Sequence, residues 1–347
     1  MRRKHHTAPS RRLRNAWVYI ASAALALFTA FVLLDTFAIA RVQRVAVAAD
    51  YSSIVTAQSS KANSSASAQD YKPGTDSQDD SAASSSSSTA SESSSTDTVA
   101  TSAASAETQV GSYSDENMQI TVAKTRVNNT DVYVADITVS SAEYLKTALA
   151  QNSFGRNLKD TTSNMAEQSG AVLAINGDYY GFRDYGYVLR NGVLYRESAA
   201  SGTDALVVYG DGTMAAVSQD KATAQQLKDD GAWQVLSFGP VLVKDGSVAV
   251  NANSEVSQSM RSNPRTAIGM VSPLHYVVVV SDGRTSDNEG LSLYELAQVL
   301  VDNGATFAYN LDGGGSTTLY FQGEVLNTPT SGNRSGERQV SDIVYFG

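Results

Sequence analysis

The chain has 347 residues, 26 Lys/Arg against 35 Asp/Glu, three histidines and no cysteine. That composition excludes a disulfide-stapled fold, a thiol nucleophile and a thiolate metal site. Residues 1–44 hold eight Lys/Arg and one acid, so 18 basic and 34 acidic residues remain beyond Arg44, a formal charge of −16. A field of that sign argues against nucleic acid as a partner and leaves any anionic substrate to local arginines and backbone donors.

In chain order, residues 1–15 form a basic tail, and residues 16–34 carry no charge. At helical rise those nineteen residues span about 28 Å, the thickness of a bilayer core. The run continues to Ala40 with Asp35 at its far interface, so residues 16–40 are expected to form a signal-anchor helix. The positive flank comes first, which favours a cytoplasmic N-terminus and an extracellular C-terminal domain. A cleaved signal peptide is the competing reading: Ala46-Val-Ala-Ala49 resembles a cleavage site, but a signal peptide's apolar core is normally about 7–15 residues. From about Tyr51 to Val110 the chain is rich in Ser, Ala and Thr and poor in apolar residues. Residues 41–111 are expected to form a disordered stalk, of which about 60 residues would reach about 40 Å.

Residues 112–347 should then be one α+β domain, a mixed, largely antiparallel sheet with flanking helices. Met118–Arg126 and Asp131–Val139 alternate as strands around Asn128-Asn129. Ala142–Ala150 and Asp160–Gln168 are expected as helices, and Ala171–Asn176 as a short buried strand. Tyr187–Arg190 and Val193–Arg196 flank Asn191-Gly192, a strong hairpin signal. Further strand pairs flank Gly210-Asp211-Gly212 and Lys244-Asp245-Gly246, with a helix expected over Ala222–Asp230. Thr266–Val271, His275–Ser281 and Thr306–Leu311 read as core strands. His275, opening the apolar run HYVVVVS, reads as structural; His5 and His6 lie in the basic tail, so a Ser–His–Asp hydrolase or multi-histidine zinc site has little support. Leu293–Asp302 has apolar residues at helical spacing with Ser292 as N-cap. Leu319–Gln322 and Val340–Phe346 close the domain.

Polar groups gather where these strands begin or end. Asn176 and Asp178 follow one apolar run, Arg265 and Thr266 open another, and Asp282 ends the next. Asp312 is delivered by Thr306–Leu311 and is followed at once by Gly313, Gly314, Gly315 and Ser316. Glycine lets a backbone approach a ligand, and bare N–H groups beside hydroxyls make an anion nest. The plain alternative is a glycine-rich turn. Glu337 and Arg338 precede the last strand.

The segments INGDYYGF, NPRTAIG, VVVVSDGR, LSLYELAQVLVDNGATFAYNLDGGGSTTLY and GERQVSD stand in an order and spacing that resembles the phosphodiester glycosidase family, whose bacterial members include exopolysaccharide-related proteins. The likeness covers residues 165–347 well and 112–164 loosely. This chain has Asn176-Gly-Asp178-Tyr-Tyr where the family often has Asn-Gly-Gly-Tyr-Phe, and Gln339 where Pro is common. The resemblance implies an α-N-acetylglucosaminidase-like hydrolase that cleaves a sugar-1-phosphodiester in a cell-envelope glycan or phosphoglycopolymer. Asp312, Glu337 and Asp282 are then the candidate catalytic carboxylates, because an oxocarbenium-like state needs a nearby carboxylate. Arg265, Arg338 and the Gly313–Gly315 N–H groups would hold phosphate. Asn176, Asp178, Thr266 and Ser316 would complete the sugar and phosphate contacts. No cofactor is required, although Asp282, Asp312, Glu337 and Asn176 together would suit Ca²⁺ through oxygen ligands. The other function class is a noncatalytic module that binds or scaffolds a phosphate-bearing envelope polysaccharide.

Overall fold

The computed structural model describes residues 11–56, 58–59, 107–252, 262–332 and 334–347. The helix Arg11–Phe37 opens the described chain. Its segment Ala16–Thr36, with a mean hydropathy of 2.2, is long and apolar enough to cross a membrane. Its large apolar side chains, such as Trp17, Leu27 and Phe28, are exposed rather than packed on the domain.

An eight-stranded sheet forms the middle layer. Its order is Ser247–Val248, Val241–Lys244, Phe307–Asn310, Arg265–Ser272, His275–Ser281, Thr130–Val139, Met118–Val127 and Thr108–Ser114. Tyr133, Ile137, Tyr276, Val278, Ile268 and Tyr309 point to one core, while Val132, Val134, Val277, Val279, Ala267 and Ala308 point to another. Both faces of the central strands are therefore covered, which explains why HYVVVVS is an unbroken apolar run rather than an alternating one. The helix Leu293–Asp302 covers the second face with Leu293, Leu296, Ala297 and Leu300. It starts at a capping box in which Ser292 and Glu295 satisfy each other's backbone N–H groups.

The first face carries a five-stranded sheet ordered Glu324–Val325, Leu319–Phe321, Leu173–Asn176, Asp342–Phe346 and Leu145–Leu149. Leu173, Ile175, Leu319, Phe321, Val344 and Phe346 join the same core as Tyr276 and Tyr309. The helix Thr162–Ser169 covers the outer side of this sheet through Met165 and Ala166. A second five-stranded sheet (Met214–Ser218, Asp204–Tyr209, Ala232–Leu236, Val188–Arg190, Val193–Arg196) is covered by the helix Ala224–Asp229. Among the described residues the strand pairs in all three sheets are antiparallel.

Two expectations fail here. Ala142–Ala150 is not a helix: a single 3₁₀ turn over Ala142–Tyr144 leads into the strand Leu145–Leu149. Leu145 and Leu149 fit a helical period, but Leu145, Thr147 and Leu149 fit a period of two equally well. Pairing with Asp342–Phe346 selects the strand.

The segment after the N-terminal helix is not stalk from residue 41. Arg41–Val45 forms an antiparallel pair with Ser153–Arg156, residues 51–56 are helical, and Ile54 is buried. A few apolar anchors override the polar composition: Tyr51 sets its ring edge-on to Trp233 at 5.1 Å, and Val47 exchanges two backbone hydrogen bonds with the Tyr195 hydroxyl. At the other end the sheet begins at Thr108 rather than at 112. The rest of the expected stalk, 60–106, lies outside the described residues.

Candidate active site

Strands of two sheets end at one place. Leu173–Asn176 delivers Asn176, and Phe307–Asn310 leads through Leu311 into Asp312. Asn176 is fully buried. Its Nδ2 donates to the Asp312 carbonyl at 2.6 Å, and its Oδ1 accepts from Thr266 Oγ1 at 2.9 Å and from Thr318 N–H at 3.3 Å. The Asp312 N–H donates in turn to the Gly177 carbonyl at 3.2 Å. Asn176 and Thr266 thus tie two sheets together beneath the site rather than reaching into it.

The glycines let the chain after Asp312 press against neighbouring backbone. A Cβ on Gly313 would lie 2.8 Å from the Pro264 carbonyl oxygen, and one on Gly314 would lie 2.8 Å from the Arg284 guanidinium. Gly314 also has φ +61°, where a side chain is strained. Its N–H is already donated to the Pro264 carbonyl at 2.8 Å. The three-donor cradle expected from Gly313–Gly315 is therefore not intact.

The residues that do converge are Asp312, Ser316 and Arg338. Ser316 Oγ donates to Asp312 Oδ2 at 2.5 Å and accepts from Arg338 Nη2 at 2.6 Å and Nε at 3.1 Å. Arg338 Nη2 stands 3.5 Å from Asp312 Oδ2, with its side chain 44% exposed and that of Asp312 14% exposed. All three line a cavity of about 400 Å³ together with Lys159, Tyr179 and Phe182. Burial pushes the Asp312 carboxyl above the ordinary carboxylate range, while the Ser316 bond and the Arg338 charge pull it back. Tyr179 has φ +70°, stacks on Phe182 at 4.6 Å and lies under the Arg183 guanidinium at 5.4 Å. A left-handed aromatic residue held by its neighbours at a pocket wall is a recognised place for stored strain.

The other expected residues lie apart from this cavity. Glu337 accepts from Ser163 N–H at 3.0 Å and from Ser163 Oγ at 2.5 Å, at the first turn of the helix Thr162–Ser169. Asp282 is buried and accepts from Thr328 N–H at 2.7 Å. Desolvation raises its pKa too. Arg265 is buried, and its Nε donates to the Leu291 carbonyl at 2.9 Å. Asp178 pairs with Arg190 at 2.9 Å and accepts from Ser237 N–H at 2.7 Å. Asn176, Asp282, Asp312 and Glu337 therefore turn to different partners and do not assemble a calcium-ligating set. No group of three or more His, Asp or Glu suited to a metal stands among the described residues.

Three features had no assigned role in the sequence reading. Lys159 sits between elements with no pattern to mark it. Tyr179 and Phe182 were visible only as part of INGDYYGF. Arg190, 1% exposed, bridges Asp178 and Asp342 under the pocket floor, where a Cβ on Gly177 would collide with the Asp342 carboxylate. Burial, then the charge of Asp178, raises the Asp342 pKa to about 7.

A family model described as phosphodiester glycosidase matches residues 169–347. The chain belongs to the phosphodiester glycosidase family. Among its relatives is the SPbeta prophage-derived uncharacterized protein YomE of Bacillus subtilis, 31% identical over 198 residues that cover 55% of this chain and 30% of that one. The bovine N-acetylglucosamine-1-phosphodiester alpha-N-acetylglucosaminidase is 29% identical over 205 residues, covering 53% and 38% of the two chains. This chain thus spans well under half the length of these relatives. The catalytic domain of the zebrafish N-acetylglucosamine-1-phosphodiester alpha-N-acetylglucosaminidase, solved as a form auto-inhibited by its pro-peptide, shares the fold. Its TM-score is 0.53 at 18% identity, covering 70% of this chain and 87% of that one.

Proposed function

We propose that this member of the phosphodiester glycosidase family hydrolyses the bond between a sugar anomeric carbon and a phosphodiester in a cell-envelope glycan or phosphoglycopolymer. The Asp312–Ser316–Arg338 cluster at the cavity wall carries the reading. It pairs a carboxylate with a half-exposed guanidinium, the two groups such a reaction needs side by side. The Arg338 side chain is 44% exposed, which leaves it accessible to a phosphate oxygen. Asp312 faces the developing positive charge at the anomeric carbon and serves as nucleophile or base. Ser316 fixes the carboxylate by donating to it, and Arg338 fixes Ser316. The leaving group is a phosphate monoester, stable as an anion, so it needs positive charge more than a proton donor. Tyr179 and Phe182 offer an aromatic wall for the sugar face.

The names of the mammalian relatives are those of enzymes acting on N-acetylglucosamine-1-phosphodiesters, which makes that sugar the first to test. The membrane placement, with the N-terminus inside and the domain outside, belongs to the same proposal. Incubation with N-acetylglucosamine-1-phosphodiesters should convert the phosphodiester signal to monoester in ³¹P NMR. Asp312→Asn should lower kcat/KM by about 10²–10⁴-fold, the usual contribution of a positioned acid–base group. A variant as active as the parent chain would remove Asp312 from the chemistry.

A further inference from the structure

The N-terminal helix is fastened to the rim of the cavity. Only residues 38–40 separate the helix end at Phe37 from the strand Arg41–Val45. Asn157, 5% exposed, donates through Nδ2 to the carbonyls of Thr36 at 3.1 Å and Ile39 at 3.0 Å. Its own N–H donates to the Gly181 carbonyl at 3.1 Å. Gly181 is the neighbour of Phe182, and Asn157 lies two residues before Lys159, both of which line the cavity. Asp35 and Arg41 form an ion pair across the junction. An apolar span of 21 residues therefore ends beside the site, with only residues 38–40 between its helix and the strand Arg41–Val45.

The surface around that junction has the composition of a membrane interface. Tyr179 and Tyr185 are 36% and 55% exposed, with Lys159 and Arg183 near them in the chain and Arg156 paired with the exposed Asp184 at 2.6 Å, on a domain whose overall charge is strongly negative. Exposed aromatics with bases beside the end of an apolar span are the usual boundary markers, because aromatic rings settle at the headgroup level.

We propose that the cavity opens at the bilayer surface and takes a sugar-1-phosphodiester whose aglycone is a membrane-embedded lipid. This rests on the hydrolase reading above. The water oxygen joins the anomeric carbon, the bond from that carbon to the phosphate oxygen breaks, the lipid keeps the phosphate as a monoester, and one proton passes to solvent. The sugar leaves as a free reducing sugar.

The chain has no cysteine, so single-cysteine variants can be labelled cleanly. Tyr185→Cys and Gln298→Cys would each carry an environment-sensitive dye in the full chain reconstituted in liposomes. Gln298 is exposed on the helix Leu293–Asp302, which covers the face of the eight-stranded sheet opposite the strand that delivers Asn176. Headgroup-brominated lipid should quench the dye at 185 and leave the dye at 298 unaffected; equal quenching, or none at 185, overturns the placement whatever the enzyme does. In the second arm, one sugar phosphodiester is offered with a long alkyl chain in the bilayer and with a short water-soluble chain. The membrane form should be preferred about tenfold or more, because confinement raises effective concentration. A flexible Gly/Ser insert of about 20 residues between Ala40 and Arg41 should abolish that preference and leave hydrolysis of the soluble form unchanged. Equal rates on both forms overturn the lipid aglycone. Hydrolysis of neither form overturns the underlying activity, while the dye arm still decides the placement.

Discussion

Asp282, Asp312 and Asp342 share one condition: burial raises all three pKa values. Each acid is costlier to ionise folded than unfolded, so its ionisation removes stability as pH rises from the ordinary carboxylate range to the folded value. For Asp342 that upper edge is about 7. Asp131 is shifted the other way, chiefly by Lys124 and Arg126 overcoming its desolvation. Its contribution is lost only below the ordinary range, so it does not oppose the trend above it. The melting temperature should therefore rise as pH falls from about 8 to about 5. Asp342→Asn should flatten that slope, since it removes the acid whose ionisation produces it; calorimetry across pH reads both. At the candidate site the same burial places the acid limb of kcat/KM above the ordinary carboxylate range if ionised Asp312 is the working form. The Ser316 bond favours ionised Asp312, so Ser316→Ala should move that limb to higher pH. A limb that stays in place would show that Asp312 is not the group being titrated.

At the scale of elements, Glu337 and Arg338 show how adjacent residues can belong to different structures. Arg338 reaches the cavity, while Glu337 turns to the N-terminus of the helix Thr162–Ser169, where it satisfies a backbone donor left open by the helix. Glu337→Ala should cost about 1 kcal/mol of stability, as loss of a cap does, and should change kcat/KM only slightly. Denaturant midpoints and rates measured on the same preparation separate these effects. A fall in kcat/KM matching Asp312→Asn at unchanged stability would place Glu337 at the reacting centre instead. The sequence could show that Asp312 ends a strand, because apolar run, carboxylate and glycines are local signals. It could also show the hairpins: Asn128-Asn129 and Asn191-Gly192 do adopt positive φ. It could not show which polar groups face the cavity and which lie beneath it, since that depends on how two sheets meet. Asn176, Asp178 and Arg265 have the chemistry of ligands, yet they are held as struts by Thr266, Arg190 and the Leu291 carbonyl. The strand Ala232–Leu236 has no signature in the sequence for a related reason. Every residue in it is buried between two neighbouring strands, so it carries no alternation to read.

For the molecule as a whole, the contacts of residues 41–59 decide whether the domain swings on a tether or sits against the N-terminal helix. Composition suggested a tether, but the segment is joined at four successive points. Arg41–Val45 pairs with Ser153–Arg156, Val47 with the Tyr195 hydroxyl, and Ala49 N–H with the Asn191 carbonyl at 2.8 Å. Tyr51 meets both Trp233 and the Gly210 carbonyl. Tyr51→Ala removes an edge-on aromatic pair, a hydrogen bond and the apolar area around Ile54. That should cost about 2 kcal/mol, a fall in Tm of about 4–8 °C for a domain of this size. Thr56→Ala makes the matching control, because Thr56 Oγ1 bonds the Ser52 carbonyl within its own turn. If the segment is part of the folded unit, the first variant lowers the domain's Tm and the second leaves it in place. If both melt with the parent chain, residues 41–59 carry none of the domain's stability, and the rigid junction between helix and cavity loses its support.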